Sequence, residues 1–236
     1  MVAMAPAHAM LACLGGGVLA AHAVPALAQP LPRIGDLLGV ERRVPGPAAV
    51  ALTFDDGPHP QATEQVLEVL RARRATATFF LVGEQAVRHG GAAAEVAAAG
   101  HAIGVHGFRH RNLLRLTPAQ TVDDLRRGRA AVAEATGLDP WVYRPPYGVL
   151  SGGALREARR RRWRVVLWSR WGRDWRADAT AGSVCTLVVA GLAGRDVVLL
   201  HDADHYAAAG SWRATVGALP RILDAIQDAG LVTVRL

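Results

Sequence analysis

The sequence contains no lysine, so its 27 basic residues are all arginines, and it contains only two cysteines, Cys13 and Cys185. Cys13 lies in an apolar N-terminal stretch, and Cys185 lies in the apolar run Ser-Val-Cys-Thr-Leu-Val-Val. If the N-terminal stretch is removed, one free thiol remains, which excludes a fold held together by internal disulfides. No histidine stands at a spacing that would pair with Cys185. We therefore interpret Cys185 as a small buried hydrophobic residue rather than a nucleophile.

Nucleotide-binding signatures are also absent. No Gly-x-Gly-x-x-Gly follows the first predicted strand, and the sequence has no phosphate-binding loop, which argues against an open nucleotide-binding sheet. The 236 residues, 51% of them hydrophobic, suffice for one globular domain with a full core and exclude a disordered chain. The formal net charge of +7 favours anionic partners, such as wall polymers, phosphate-bearing glycans or nucleic acid, and does not select among them.

Residues 1–28 contain no Asp, Glu, Lys or Arg and end in the small-x-small sequence Ala26-Leu27-Ala28. This pattern predicts a signal peptide, and with it a secreted or cell-envelope protein. Because a positively charged start is missing, two alternatives stay open: an uncleaved membrane anchor and a lipoprotein cut before Cys13. Gly15-Gly16-Gly17 and Pro25 argue against a membrane span. Residues 29–46, which are rich in proline, are predicted to be a linker.

From residue 47 onward, strand patterns alternate with helical ones. The predicted strands lie at about 48–54, 77–82, 101–106, 141–144, 165–168, 197–201 and 231–234. The clearest helices are predicted at 63–74, at 117–136 after the capping box Thr117-Pro118-Ala119-Gln120, and at 214–229. Seven strands alternating with helices predict a single α/β domain with a parallel sheet, and a barrel of β/α units rather than an open sheet.

Polar residues recur at the carboxyl ends of the predicted strands, where the functional groups of a β/α barrel lie. The first strand ends in Thr53-Phe54-Asp55-Asp56-Gly57-Pro58, and the third ends at His106, with His110 four residues later. Three more groups follow later strands: Arg144-Pro145-Pro146-Tyr147-Gly148, Asp174-Trp175 and Leu199-Leu200-His201-Asp202. Chance would not place so many reactive groups on one rim, and we therefore predict an active site there.

Asp55 and Asp56 are adjacent, and neighbouring side chains of an extended segment point to opposite sides. One carboxylate can therefore bind a metal while the other acts as a base, although the pair taken alone favours a turn at the end of the strand. In a helical turn, His106 and His110 would share one face. Together with Asp56 they would give three ligands and an open position, as in catalytic zinc sites. Such a metal would lower the pKa of its bound water to about 7 and would leave Asp55 and His201 as candidate base and acid.

Together these residues resemble the polysaccharide deacetylase family, also called the NodB-homology domain or carbohydrate esterase family 4. The resemblance covers about residues 47–236, and its most specific piece is Thr-Phe-Asp-Asp-Gly-Pro at 53–58. It implies a distorted barrel of the (β/α)7 type and one divalent metal ion, zinc or else Co²⁺ or Mn²⁺. It also implies removal of acetyl groups from N-acetylated glycans such as peptidoglycan or chitin-like oligomers.

The resemblance also implies roles for the residues that match the family's motifs. Asp55 would be the general base, kept ionised and aimed by Arg144. Asp56, His106 and His110 would hold the metal.

On the acid side, the resemblance implies that His201 is the general acid and that Asp174 raises its pKa. The backbone N–H of Tyr147 would stabilise the oxyanion, so that Tyr147 also contacts the substrate. Trp175 and Leu199 would line the pocket for the acetyl methyl group.

Two positions depart from the family pattern. Gly107 stands where a Ser or Thr usually follows the first histidine ligand, so we expect a less stiff loop there. Trp171 replaces the first Asp of the frequent Asp-x-x-Asp-Trp motif, which would alter the groove and the substrate. His205 and Asp204, soon after His201, are interpreted mainly as ordinary loop residues, with substrate contact as the alternative. Four further tryptophans are interpreted mainly as core or helix–strand packing, with stacking on sugar rings as the alternative: Trp141, Trp163, Trp168 and Trp212.

Two other functions stay open. One is deacylation of a small N- or O-acylated metabolite or of xylan, and the other is a catalytically silent sugar-binding envelope protein. The complete set of Asp55, Asp56, His106, His110 and His201 argues against the silent protein. Nucleic acid is not predicted as a partner, because only the charge supports it, and membrane contact is expected only through residues 1–28.

Overall fold

The structure, a computed structural model, describes residues 20–236. Residues 1–19, which make up most of the predicted signal peptide and include Cys13, lie outside the described residues. Among the residues that are described, no helix has the length and apolar character needed to cross a membrane.

The described chain folds into nine strands, eight α-helices and three short 3-10 helices, joined by loops and turns. The strands are β1 (Val40–Glu41), β2 (Ala49–Asp55), β3 (Thr78–Leu81), β4 (Ala102–Val105), β5 (Val142–Tyr143), β6 (Arg164–Val166), β7 (Arg170–Trp171), β8 (Val197–His201) and β9 (Val232–Thr233). The helices are α1 (Pro32–Leu38), α2 (Ala62–Ala72), α3 (Gly83–Arg88), α4 (Gly90–Ala98), α5 (Pro118–Thr136), α6 (Gly152–Arg161), α7 (Ala181–Val189) and α8 (Trp212–Asp228).

The strands form one curled sheet in the order β1-β6-β5-β4-β3-β2-β8-β7, with β9 added beside β2. Every pair of neighbouring strands is parallel. This arrangement confirms the predicted α/β class, the single domain and the distorted β/α barrel. All seven predicted strands are present, and the structure adds β1 and β7, which at two residues each are too short to show a periodic pattern.

Alternate residues of β2 face opposite sides of the sheet, because successive side chains of a strand alternate. Val50, Leu52 and Phe54 join the core between the sheet and its covering helices. Ala51 joins the second core on the other side of the sheet. Thr53 and Asp55 follow Ala51 in this alternation, so the strand aims a carboxylate at the same side as Ala51. The register then sets Asp55 of β2 beside His201 of β8.

Residues 29–46, predicted above as a linker, carry α1 and β1. The prolines favoured a linker, but one of them, Pro32, begins a helix. It stands at the first helical position, where the N–H that proline lacks would have no partner within the helix. Gly39, with a φ of 74°, ends this helix in the left-handed conformation. β1 then pairs with β6 through Val40 and Val165, and the residues before α1 pack as well, since Ala28 is fully buried.

Glu157 of α6 connects two outer helices through arginines. Its side chain is buried and accepts hydrogen bonds from Arg160 at 2.7 Å and Arg161 at 2.6 Å, and Arg126 of α5 approaches to 3.6 Å. The hydrogen bond from Arg160, assisted by Arg161, lowers the pKa of Glu157 to about 2. The stabilisation by these pairs is therefore complete above the ordinary pKa of the carboxyl and is lost as the pH falls towards 2.

We predict that Glu157→Gln lowers the free energy of unfolding at pH 7 by about 1 kcal/mol, because two of the partner arginines, Arg126 and Arg160, are largely exposed and screened by solvent. The difference from the unsubstituted protein should shrink between pH 5 and pH 3, measured by urea denaturation. Glu68→Gln, at an exposed glutamate of α2, is the matched control and should have little effect. A difference that stays constant over this pH range would contradict the prediction.

Candidate metal centre and active site

The predicted site residues meet at a cavity of about 270 Å³ on the rim formed by the carboxyl ends of the strands. Eight of them line it: Asp55, Asp56, His106, His110, Tyr147, Trp175, Leu199 and His201. Four larger grooves on the surface of the described residues, of about 700, 640, 560 and 380 Å³, contain none of the predicted site residues. Because the predicted residues converge on the smaller cavity and on none of these grooves, we take the cavity as the candidate site.

Asp55 is held by a fully buried arginine. Arg144 directly follows β5 and donates from Nη1 to Asp55 Oδ1 at 2.7 Å and to Thr53 Oγ1 at 2.8 Å. Its remaining donors reach the carbonyl oxygens of Val166 and Leu167. Burial raises the pKa of Asp55, although the charge of Arg144 opposes this. The carboxylate is therefore fixed in direction and more basic than an exposed aspartate.

Asp56 directly follows β2, and its backbone adopts a left-handed φ of 76°. Its Oδ1 lies 3.5 Å from His106 Nε2 and 3.2 Å from His110 Nε2. One ligand atom from each of the three residues lies within 4.8 Å of the others. The structure therefore brings together the three residues that the sequence predicted as metal ligands.

The two histidines do not share a helical turn, which was the geometry assumed from their spacing. His106 directly follows β4, and the chain then turns at Gly107, whose φ is 85°. The buried carboxylate of Asp124 holds this loop by accepting hydrogen bonds from Phe108 N and from the Arg111 guanidinium. A Cβ at position 107 would lie 2.9 Å from Asp124 Oδ2. Gly107 thus makes room for a carboxylate that supports the loop, in place of the expected hydroxyl.

The chemistry of these three side chains fits a divalent cation. Burial lowers the pKa of both His106 and His110 to about 3, so both rings are neutral near pH 7. His106 Nδ1 donates to the Arg144 carbonyl oxygen at 2.8 Å, which leaves the Nε2 lone pair facing Asp56. Asp56 Oδ1 is buried and has no hydrogen-bond partner among the residues of the described chain. Two neutral imidazoles and an orphaned carboxylate oxygen are a typical ligand set for zinc and related metals.

His201 is paired with a buried carboxylate. Its Nδ1 donates to Asp174 Oδ1 at 2.9 Å, and Asp174 Oδ2 accepts from the His201 backbone N–H and from the Thr215 hydroxyl. Burial disfavours the charged imidazole, but Asp174, with Asp56 and Asp55, outweighs burial and raises the pKa of His201 to about 10. His201 Nε2 lies 4.0 Å from Asp56 Oδ2, so the proton-bearing ring faces the candidate metal site.

Aromatic side chains form one wall of the cavity. Trp175 stands edge-on to His201, with ring centroids 5.5 Å apart, and Trp171 contacts Trp175 at 5.7 Å and Trp168 at 5.8 Å. Trp171, the departure from the family motif, therefore lies in the wall of the cavity itself. Tyr147 is 57% exposed and adopts a left-handed φ of 59°, a strained conformation of the kind that clusters at functional sites.

Sequence reasoning missed several residues around the site. Tyr206 lines the cavity, whereas its neighbour His205 does not and instead contacts the Pro58 carbonyl oxygen. Trp168, interpreted as core packing, is buried but also lines the cavity. Thr215 and Asp124 support the site from helices. Both act through contacts between distant parts of the chain, for which a single sequence carries no signal.

Comparisons with known proteins identify the family to which the chain belongs. The profile of the family described as "Polysaccharide deacetylase" matches residues 42–166. The chain is 35% identical over 184 residues to a peptidoglycan-N-acetylglucosamine deacetylase of Bacillus cereus, covering 77% of this chain and 83% of the relative. It is 33% identical over 202 residues to a chitooligosaccharide deacetylase of Sinorhizobium fredii, covering 82% of this chain and 92% of the relative.

A solved structure has the same fold. It is a peptidoglycan N-acetylglucosamine deacetylase in complex with 4-naphthalen-1-yl-N-oxidanyl-benzamide, with a TM-score of 0.77 and 28% sequence identity. The match covers 84% of this chain and 90% of that one. With the family profile, the relatives and the fold in agreement, the chain belongs to the polysaccharide deacetylase family of metal-dependent carbohydrate deacetylases, and Asp56, His106 and His110 form its candidate metal site.

Proposed function

We propose that this protein hydrolyses the acetamide of N-acetylated glycans, with peptidoglycan or chitin-like oligomers as substrates and one zinc ion as cofactor. The observation that carries the proposal is the convergence of three pairings on one cavity. Asp56 faces two neutral imidazoles, Asp55 is held by Arg144, and His201 is held by Asp174. Hydrolysis of an amide needs a polarised carbonyl, a base and an acid, and these pairings supply one group for each task.

The choice of glycan rests on the relatives and on the N-terminus. The names of similar proteins point to N-acetylglucosamine in peptidoglycan and to chitooligosaccharides. The signal-peptide pattern of residues 1–28 supports the proposal that the protein acts outside the cytoplasm or in the cell envelope. In that location a wall glycan is the more accessible substrate. Zinc is the proposed metal because two histidines and one carboxylate, with a position left open, are typical of its catalytic sites.

The proposed chemistry begins with Asp55. A divalent ion held by Asp56, His106 and His110 would acidify water and polarise the acetyl carbonyl. Asp55 takes a proton from the attacking water, and its raised pKa makes it a stronger acceptor. Arg144 keeps Asp55 Oδ1 occupied, which directs the proton to Oδ2, the oxygen that lies 3.7 Å from His106 Nε2.

His201 completes the reaction on the other side of the cavity. Its raised pKa keeps the ring protonated near neutral pH, so that it can donate its Nε2 proton to the leaving amine nitrogen. The C–N bond then breaks, giving acetate and a free amino sugar. Asp174 stabilises the charged ring and fixes its orientation through Nδ1.

Tyr147, Trp175 and Leu199 are proposed to position the acetyl group. The left-handed backbone of Tyr147 would present its N–H to the negative charge that develops on the carbonyl oxygen, as oxyanion-hole donors do. Trp175 and Leu199 give the methyl group an apolar surface at the cavity wall.

We predict that the purified protein releases acetate from N-acetylglucosamine oligomers or from peptidoglycan, and that it does so only with metal bound. Chelation should abolish release, and stoichiometric zinc should restore it, because Asp56 and two neutral histidines form a specific site. Acetate is measured enzymatically, and zinc by mass spectrometry.

Other outcomes separate the alternatives. Absence of acetate release with one bound zinc would redirect the search to another acylated substrate, such as xylan or a small metabolite. Absence of both acetate release and metal would favour a silent sugar-binding protein. Release that persists after verified metal removal would contradict the proposed chemistry.

We predict that the two neighbouring aspartates can be separated by mutation. Asp55→Asn should lower kcat by about 10²- to 10⁴-fold while zinc content stays near one per chain, because it removes only the base. His110→Ala should lose both zinc and activity, since it removes a ligand. Asp178→Asn, at an exposed carboxylate of a rim loop, is the control for loss of a negative charge and should keep both. If Asp55→Asn loses zinc and recovers activity when zinc is added in excess, the assigned roles are wrong.

A further inference from the structure

The two histidine ligands differ in how their second ring nitrogen is held. A ligating histidine usually donates its other N–H to a carboxylate or a carbonyl, which fixes the orientation of the ring. His106 follows this rule through the Arg144 carbonyl oxygen. His110 does not, because its Nδ1 is buried and lacks a hydrogen-bond partner within residues 20–236. Some other contact must therefore hold the ring of His110.

The ring of His110 is packed between two tyrosines. Tyr206 stacks on one face, with ring centroids 4.5 Å apart and an angle of 13° between the planes. Tyr147 approaches edge-on at 4.3 Å and 65°. Tyr147 is more than half exposed, whereas Tyr206 is partly buried. The surrounding protein therefore restricts the ring of Tyr206 more than that of Tyr147.

Tyr206 is itself fixed at the start of α3. Its hydroxyl donates to Glu84 Oε1 at 2.7 Å and accepts from Gln85 Nε2 at 2.9 Å. A planar ring with its far end anchored at two points cannot tilt freely. Stacking on such a ring restricts the rotation of His110 about its side-chain bonds.

The same helix start also holds the loop that carries His110. Gly83 N donates to the Gly107 carbonyl oxygen at 2.9 Å, and Glu84 N donates to the Phe108 carbonyl oxygen at 2.8 Å. The backbones approach closely, since a Cβ at Gly83 would lie 2.8 Å from the Phe108 ring. α3 therefore positions both the backbone that leads to His110 and, through Tyr206, the face of its imidazole.

We infer that Tyr206 is a positioning residue for the metal ligand His110 and replaces, by stacking, the hydrogen bond that His110 lacks. This inference rests on the proposed metal site. Loss of the ring should weaken metal binding by about 10- to 100-fold, the range found when contacts that orient a ligand are removed. Loss of the hydroxyl alone should weaken it less, because the stacked ring remains.

The test compares zinc dissociation constants, measured by competition with a chromogenic chelator, for the unsubstituted protein, Tyr206→Leu and Tyr206→Phe. The inference requires weaker binding in the order unsubstituted, Phe, Leu, with the thermal midpoint of the metal-free proteins unchanged. His205→Ala is the matched control, because it removes the neighbouring ring of the same loop. An unchanged dissociation constant for Tyr206→Leu, or an equal loss for His205→Ala, would overturn the inference.

A second measurement tests the inference without Tyr206→Leu, in case that variant does not fold. The visible absorption spectrum of the Co²⁺-loaded protein reports on ligand geometry, and it should change in intensity in Tyr206→Phe but not in His205→Ala. An identical spectrum for all three proteins would also overturn the inference. If the unsubstituted protein binds neither zinc nor cobalt, the proposed metal site itself fails, which is a different result.

Discussion

The buried guanidinium of Arg144 connects the parts of the site. Its side chain fixes Asp55, the candidate base, while its carbonyl oxygen accepts from His106, a candidate metal ligand. The remaining donors bond to Val166 and Leu167, at the end of the neighbouring strand. A fully buried charge is costly unless it is paired and its donors are satisfied. Here the pairing also aligns β2, β4, β5 and β6 at one rim, so catalytic geometry and fold depend on the same contacts.

The same cavity holds histidines in opposite protonation states. His106 and His110 have lowered pKa values because burial acts on them without a compensating close carboxylate bond. His201 is buried as well, but Asp174 bonds directly to its ring and reverses the effect. Three imidazoles on one rim can thus divide into two metal ligands and one proton donor. The division is set by the bond between Asp174 and the His201 ring, which has no counterpart at His106 or His110 among the residues that the structure describes.

Much of this arrangement could be predicted from the sequence, because strands and their end residues leave local patterns. The motif from Thr53 to Pro58 and the histidines after β4 and in β8 were identified without coordinates. The loop between His106 and His110 was not, since its shape depends on Asp124, a residue of α5. Tyr206 was not identified, although its neighbour His205 was weighed as a substrate contact. Which of two adjacent loop residues faces a cavity depends on the folded path of the loop, and the sequence pattern does not give it. Residues 29–46 were predicted as a linker from their prolines. Proline both interrupts helices and begins them, so its presence alone does not distinguish a linker from the start of a helix.

The two outermost strands of the sheet, β1 and β7, are only two residues long, and each carries a charged side chain, Glu41 or Arg170. An open sheet exposes unpaired N–H and C=O groups at its edges, which can recruit the edge of another molecule. Edges this short offer too few groups for such pairing, and the charges oppose it further. The curled sheet can therefore remain unclosed without pairing edge to edge with another molecule, and the rim at the carboxyl ends of its strands stays accessible.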